Sequence, residues 1–372
     1  IVEKGEKSEY KDWFTVFDYP VRFLHRPHLY ANTYKVGWDG NAEEYKTYLE
    51  KTFKETKVPV EVVDDDGPII EPTFKAWWGV PDMPKINFKN DGARQWALDV
   101  TEHWIKNFDI DGWRMDVAKE LDFSFWKDFR DVAYSAKKDI LLISEIFGDT
   151  SQWLQGERFD GTMNYSFRET MTDYFATKRI DNKEFANSLA NLYSMYSFEA
   201  LSSCQNLLSS HDVKRFLNRC GANTDGMFGA IFLQATFPGI AGIYYGDEIG
   251  LGGADDPFNR EPFPWESEDK WNKDLLKFTS ELMNIKTSQP ILRYGNFEMV
   301  TYDDNYVIFR RVLNDESLLC IVNRDLNNKD IELNTNAHSV DMVYGDCSIE
   351  LDSGKLKITD IADNFGLIIK ES

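Results

Sequence analysis

Cysteine is sparse: the 372-residue chain has four, Cys204, Cys220, Cys320 and Cys347. None forms a Cys-x-x-Cys pair, so neither a zinc knuckle nor a disulfide framework is read, and free thiols in a reducing compartment are expected. Histidine is nearly as rare, with five: His25, His28, His103, His211 and His338. His25 and His28 fall in His-Arg-Pro-His, whose neighbourhood supplies no third and fourth metal ligand. No apolar run approaches about 18 residues, which excludes a membrane-spanning helix. Walker and dinucleotide-type glycine loops, repeats and low-complexity segments are also missing. No charged-then-apolar leader follows Ile1, so no signal peptide is read in these residues. Positive charge is in deficit. Lys plus Arg number 42 against 63 Asp plus Glu, for a net charge of −21. So acidic a surface repels phosphate backbones and excludes nucleic acid as the expected partner.

What remains is a globular composition. Hydrophobic residues make up 42%, enough for a large core, and the length suggests two or three domains. Aromatics reach 15%, including 11 Trp and 17 Tyr, flat rings that suit both packing and stacking on sugars.

Residues 1–87 read as irregular, with aromatics scattered among Pro, Gly and charge, and Asp64-Asp-Asp-Gly-Pro68 as a solvated turn. Periodicity then sets in. Ala93, Trp96, Ala97, Val100, Trp104 and Phe108 predict an amphipathic helix over about 90–107. Apolar runs at 110–118 and 140–146 flank a second helix carrying Phe125, Trp126, Phe129 and Val132. Further strands are expected near 161–166, 204–209 and 239–246, and a helix with Trp271, Leu275, Leu276, Phe278 and Leu282 closes this region. Strands alternating with helices imply a parallel sheet, either doubly wound or a (β/α) barrel. From about Arg293 the pattern becomes all-β: short strands follow one another, with Asp352-Ser-Gly354 as a hairpin turn. The expected divisions are 1–87, 88–292 and 293–372.

Three polar positions sit at the ends of apolar runs. Arg114 and Asp116 are two apart and face one side of a strand, where an Arg holds a carboxylate ionised; an internal salt bridge is the plainer alternative. Glu145 ends an apolar run, where burial would keep it protonated; capping the next helix is the alternative. His211-Asp212 follows Leu207-Leu-Ser-Ser210 and, alone, reads as a helix cap. Together they suggest successive strands that each deliver an acid at the carboxyl end, where barrel enzymes do their chemistry. An ionised acid beside a protonated one is what glycoside hydrolysis needs.

Gly112-Trp-Arg-Met-Asp-Val-Ala-Lys-Glu120, Ile143-Ser-Glu145 and Asn206-Leu-Leu-Ser-Ser-His-Asp212 resemble, in order, three sequence regions of the α-amylase family, glycoside hydrolase family 13. The resemblance implies Asp116 as nucleophile, Glu145 as general acid/base and Asp212 as the acid that stabilises the transition state. Arg114 matches the arginine beside the nucleophile, and His211 the histidine that binds sugar hydroxyls. Met83-Pro-Lys-Ile-Asn87, Trp77-Trp-Gly79, Met163-Asn-Tyr165 and Glu120 look like the neopullulanase, cyclomaltodextrinase and maltogenic amylase group. Tyr244-Tyr-Gly-Asp-Glu248 looks like the last barrel strand. Trp77 and Trp78 are candidate stacking platforms, with ordinary packing as the alternative, and Lys119 and Glu120 are candidates for the leaving-group side.

The implied fold is a (β/α)8 TIM-type barrel with a C-terminal β-sandwich. The family's earlier Asp and Asn-His region is not found, so the first three strands are expected outside this chain, in an N-terminal segment or a companion chain. The implied substrates are malto-oligosaccharides, cyclodextrins or pullulan, cleaved at α-1,4 and also α-1,6 bonds through a glycosyl-Asp116 ester. Transglycosylation by the same acids, a non-catalytic binding relative and an inactive fragment are the alternatives. No cofactor is required by this chemistry; the resemblance leaves open a stabilising Ca²⁺, as some members of the family bind, which the Asp-rich loops could hold, although no complete Ca²⁺ loop is present. A cytoplasmic location and a homodimer belong to the same set of expectations.

Overall fold

Residues 1–30, 41–80, 82–322, 330–361 and 365–372 are described by the structure, a computed structural model. Two units emerge: Ile1–Asp109 with Asp131–Lys137, and Ile110–Arg130 with Lys138–Ser372.

The first unit is more regular than its composition suggests. Three short strands, β1 (Phe23–His25), β2 (Val60–Val62) and β3 (Ile70–Pro72), form a sheet in the order β2-β1-β3. A helix spans Ala42–Thr56 where an irregular stretch is expected; Asn41 starts it with a capping box closed by Glu44. Only Tyr45, Leu49 and Thr52 of that helix are buried. The apolar stripe is too thin to stand out from the charge around it, yet it packs with Val21, Phe23, Val58, Ile69, Ile70 and Phe74 in one core.

The helix expected over 90–107 is found at Asp91–Phe108, N-capped by Asn90. Its buried face differs from the expected one. Ala93, Leu98, Thr101 and Ile105 are inside, whereas Trp96, Trp104 and Phe108 are exposed. The helix carries two apolar stripes, and tertiary neighbours rather than period choose between them. The Asp64–Gly67 turn is anchored by Arg26, which pairs with Asp65 and Glu71.

In the second unit, parallel strands follow in chain order: β4 (Gly112–Met115), β5 (Leu141–Ser144), β6 (Gly161–Thr162), β7 (Gln205–Leu207) and β8 (Ile240–Gly242). β4 pairs with β5 and β5 with β6; a parallel bridge from Met163 to Gln205 joins β6 to β7, which pairs with β8. The strand expected over 161–166 is only two residues long. Asn164 caps a helix, Tyr165–Met171, by accepting the Phe167 N–H, and that ends the extended run. A side chain at Gly161 would collide with the Ser203 carbonyl, so β6 needs glycine to approach that closely.

Buried amides tie these strands together. Asn206, wholly buried, accepts from Asn164 and donates to Pro238 O. Gln234, on the helix Asp225–Thr236, donates to Asn206 O and Gly242 O at 2.9 and 3.0 Å. The closing helix runs Lys273–Ser288 with Asn272 as its cap, so Trp271 lies just outside it.

The last residues form two antiparallel sheets. One runs β13 (Val340–Tyr344), β16 (Gly366–Glu371), β11 (Glu316–Val322), β10 (Val307–Leu313), β9 (Asn296–Tyr302). The other runs β12 (Ile331–Asn334), β15 (Lys355–Thr359), β14 (Ser348–Asp352). Ile308, Leu319, Ile321, Leu367 and Ile369 of the first pack with Ile331, Leu333, Leu356 and Ile358 of the second, the alternation of a sandwich. All four cysteines are free, and Cys204 and Cys320 are buried. Among the described residues, no helix is long and apolar enough to cross a membrane.

Candidate active site

Asp116, Glu145 and Asp212 each follow the carboxyl end of a parallel strand: β4, β5 and β7 in turn. Buried apolar residues fix β5 and β7, whereas β4 buries none of its four residues. Leu142 and Leu207 are at most 2% exposed. The strand ends are where polar groups can reach an opening.

One guanidinium meets all three acids. Arg114 Nη1 donates to Asp116 Oδ1 at 2.5 Å, and Nη2 lies 2.8 Å from Glu145 Oε1 and 3.9 Å from Asp212 Oδ2. The Arg114 Nε points to Met163 Sδ at 3.3 Å. Asp116 is largely open to solvent, while the Glu145 side chain is only 7% exposed. Glu145 Oε2 also accepts the Val117 N–H at 2.9 Å. Burial nevertheless pushes the Glu145 carboxyl above its ordinary pKa, against the pull of Val117 N–H and Arg114 and with help from Asp212 and Asp116.

The chain right after Asp116 is strained. Val117 has φ +44, a left-handed conformation that a β-branched residue rarely adopts. That kink turns the Val117 N–H toward Glu145 and starts the turn Ala118–Glu120, which carries Lys119 and Glu120. Trp126, buried, holds the turn by donating to Ala118 O at 2.8 Å.

Asp212 and His211 sit side by side, with His211 Nε2 at 3.1 Å from Asp212 Oδ2. Asp212 starts no helix; the next one begins at Phe216. Ser210 Oγ instead accepts the Asp212 N–H at 3.1 Å and meets Tyr165 OH at 3.1 Å. Tyr165 is buried, which pushes its pKa to about 12, and Phe147 stacks on it at 3.8 Å with half its surface exposed.

The structure thus brings Asp116, Glu145, Asp212, Arg114 and His211 into one cluster, with Lys119 and Glu120 on the adjoining turn. Trp77 and Trp78 belong to the other unit. Their rings lie 5.7 Å apart, and Trp78 is 75% exposed with a positive φ of 50. His25 meets Tyr30 OH at 2.6 Å, and His28 faces Asp64 at 3.5 Å. Among the described residues, no group of three or more His, Cys, Asp or Glu is placed to hold a metal ion.

Sequence reasoning missed Arg260 and Asn259. Arg260 Nη2 lies 3.6 Å from Asp212 Oδ1, and its Nε donates to His211 O at 3.0 Å. Asn259, fully buried, donates to His211 O and Val213 O at 2.9 and 3.0 Å. Both lie in a Gly-, Asp- and Pro-rich loop after β8, where no periodicity singles out a residue; the only signal is a lone cation in an acidic stretch.

Comparisons with known proteins agree on one family. The profile of the alpha amylase catalytic domain matches residues 73–289, more than half of the chain. A cyclomaltodextrinase of Thermoanaerobacter pseudethanolicus is 31% identical over 335 residues, covering 90% of this chain and 50% of that protein. Neopullulanase 2 of Thermoactinomyces vulgaris is 34% identical over 325 residues, covering 87% and 48%. A solved cyclomaltodextrinase superposes with a TM-score of 0.80 at 28% identity, covering all of this chain and 56% of that one. The chain spans about half the length of the curated relatives it matches. With an acid at the end of each of three parallel strands and a catalytic-domain profile that spans them all, the chain belongs to the alpha-amylase family.

Proposed function

We propose that the chain acts as a retaining glycoside hydrolase on α-1,4, and also α-1,6, glucosidic bonds of malto-oligosaccharides, cyclodextrins or pullulan. The observation that carries this reading is the single guanidinium of Arg114 reaching Asp116, Glu145 and Asp212.

In the proposed reaction, Glu145 gives its proton to the glycosidic oxygen as the bond to the anomeric carbon breaks. The Asp116 carboxylate attacks that carbon from the other face, and a glycosyl-Asp116 ester forms. Glu145, now deprotonated, takes a proton from water, and the hydroxide equivalent displaces Asp116 with net retention. The raised Glu145 pKa supports the acid role. Asp212 and His211 hold the sugar ring distorted, and Arg114 orients Asp116. Lys119 and Glu120 border the leaving-group side; on its own unit, the exposed ring of Trp78, with Trp77, is a surface of the kind that stacks on sugars.

The five strands belong, in this reading, to a (β/α)8 barrel within 88–292, followed by the sandwich of 293–372. β4 and β8 each have one strand neighbour among the described residues, and open parallel edges favour closure by further strands.

The test is a digest of maltotriose, pullulan and β-cyclodextrin by the chain and by Asp116→Asn. The chain should release shorter malto-oligosaccharides; the variant should release none while calorimetry still detects binding. Near-normal turnover by the variant would end the assignment.

A further inference from the structure

Asp212 rides on a short turn, Ser209–Val213, that no regular element contains. What fixes the turn is a neighbouring helix. Arg168, on the helix Tyr165–Met171, is 2% exposed. Its Nε donates to Leu208 O at 2.9 Å and its Nη2 to Lys214 O at 3.2 Å. Those carbonyls flank the turn on its two sides, so one rigid fork spans its base. Nη1 is held by Glu169 at 2.7 Å, a surface carboxylate. Tyr165, one helical turn earlier on the same face, meets Ser210 Oγ at 3.1 Å, and Ser210 Oγ accepts the Asp212 N–H. The helix itself is registered by Asn164, which caps it and donates to Asn206 next to β7's end.

A buried guanidinium is costly to keep, and burial lowers the pKa of this one. It makes no contact with Asp116, Glu145 or Asp212 among its hydrogen bonds and ion pairs, so its place is explained by what it grips. We propose that Arg168 is a positioning residue, which by bridging Leu208 O and Lys214 O sets where Asp212 stands relative to Glu145 and Asp116. The inference rests on the proposed glycosidase reading for its kinetic consequence, though not for its structural one.

The consequence can be read at Glu145. That carboxyl faces Arg114 and Asp116 from the end of β4, Tyr165 from the helix and Asp212 from the turn. Burial raises its pKa first, and a hydrogen bond with Asp212 adds to the rise. If the turn slips, that contribution is lost and Glu145 titrates lower.

Arg168→Lys keeps the charge but cannot span two carbonyls with one planar fork. In the full chain, the expected result is a drop in kcat on the order of 10–100-fold on maltotriose, with KM nearly unchanged. The alkaline limb of kcat/KM should move to lower pH, and the ¹³C-carboxyl titration of Glu145 should move with it. Tyr165→Phe should move the titration the same way by less. Glu169→Ala, which removes only the outer partner, should leave it in place. A folded Arg168→Lys whose Glu145 titrates as in the parent would overturn the proposal. So would an Arg168→Lys too unstable to fold together with a Tyr165→Phe that leaves Glu145 unmoved. If the parent cleaves no glucan at all, the glycosidase reading fails, and the ¹³C titration still decides whether Arg168 positions Asp212.

Discussion

Arg114 Nη2 and Glu145 Oε1 lie 2.8 Å apart, yet the Glu145 carboxyl has its pKa raised, because burial outweighs the ion pair. A carboxyl whose pKa rises beside a guanidinium is unusual, and it sets a pH signature. In the proposed reaction Glu145 must carry its proton, so kcat/KM should fall as pH rises through the raised value, above the ordinary glutamic range of about 4.3. Glu145→Gln should abolish the alkaline limb along with the activity on natural glucans. The same shift has a stability side. A carboxyl raised in the folded state stabilises fully below its unfolded pKa, and that contribution is lost as pH rises through the folded one. Thermal melts of Glu145→Gln against the parent should therefore favour the variant increasingly as pH rises from about 4. A constant difference across that window would contradict the account.

The turn after Asp116 gives a second expectation. Trp126 is 1% exposed and donates to Ala118 O at 2.8 Å. Trp126→Phe keeps most of the packing and loses that bond, for about 1 kcal/mol in denaturant unfolding. Trp126→Ala also opens a cavity and should cost about 3–5 kcal/mol. If the turn positions Asp116, Trp126→Phe should lower kcat as well as stability, and unchanged kcat would argue that the turn is indifferent to this bond.

Much of this site was legible because its residues lie at strand ends. An apolar strand reads as an apolar run, and an acid at its carboxyl end interrupts the run visibly, as Glu145 does after β5; β4 buries none of its four residues, and Asp116 stands out there by its two-residue spacing from Arg114. The sandwich was legible for a similar reason, since period-two alternation marks strands such as Lys355–Thr359, whose burial alternates. What escaped has its cause in tertiary packing. β12, Ile331–Asn334, is a four-residue strand flanked by polar sequence, and only Ile331 and Leu333 mark it. Helix Ala42–Thr56 buries three residues in fifteen, too few to show. Arg168 and Asn259 act through backbone carbonyls, and a carbonyl leaves no trace in the amino-acid order.

Two buried basic side chains make a third prediction. Lys286 Nζ donates to Ala235 O and Phe237 O at 3.1 and 3.2 Å, and Arg311 Nη1 donates to Thr236 O at 2.6 Å. Together they donate to the last carbonyls at the carboxyl end of helix Asp225–Thr236, groups that no further helical turn can satisfy. Burial, then Arg311, lowers the Lys286 pKa to about 7. An unfolded lysine titrates near about 10.4, so between these values the unfolded chain binds more protons and stability rises with pH. The contribution is lost as pH falls through about 7. Lys286→Met should remove that slope. Urea unfolding at a series of alkaline pH values should show the parent gaining on the variant by up to about 1.4 kcal/mol per pH unit. A pH-independent gap would mean that Lys286 stays charged in the fold.

The glycosyl-Asp116 ester is the central claim, and it can be weighed directly. In Glu145→Gln, α-maltosyl fluoride needs no acid to lose its leaving group, while the missing base should stall hydrolysis of the ester. Peptide mass spectrometry of the quenched protein should then find one maltosyl group, on Asp116. Release of fluoride with Asp116 unmodified, or a maltosyl group on another residue, would contradict the account.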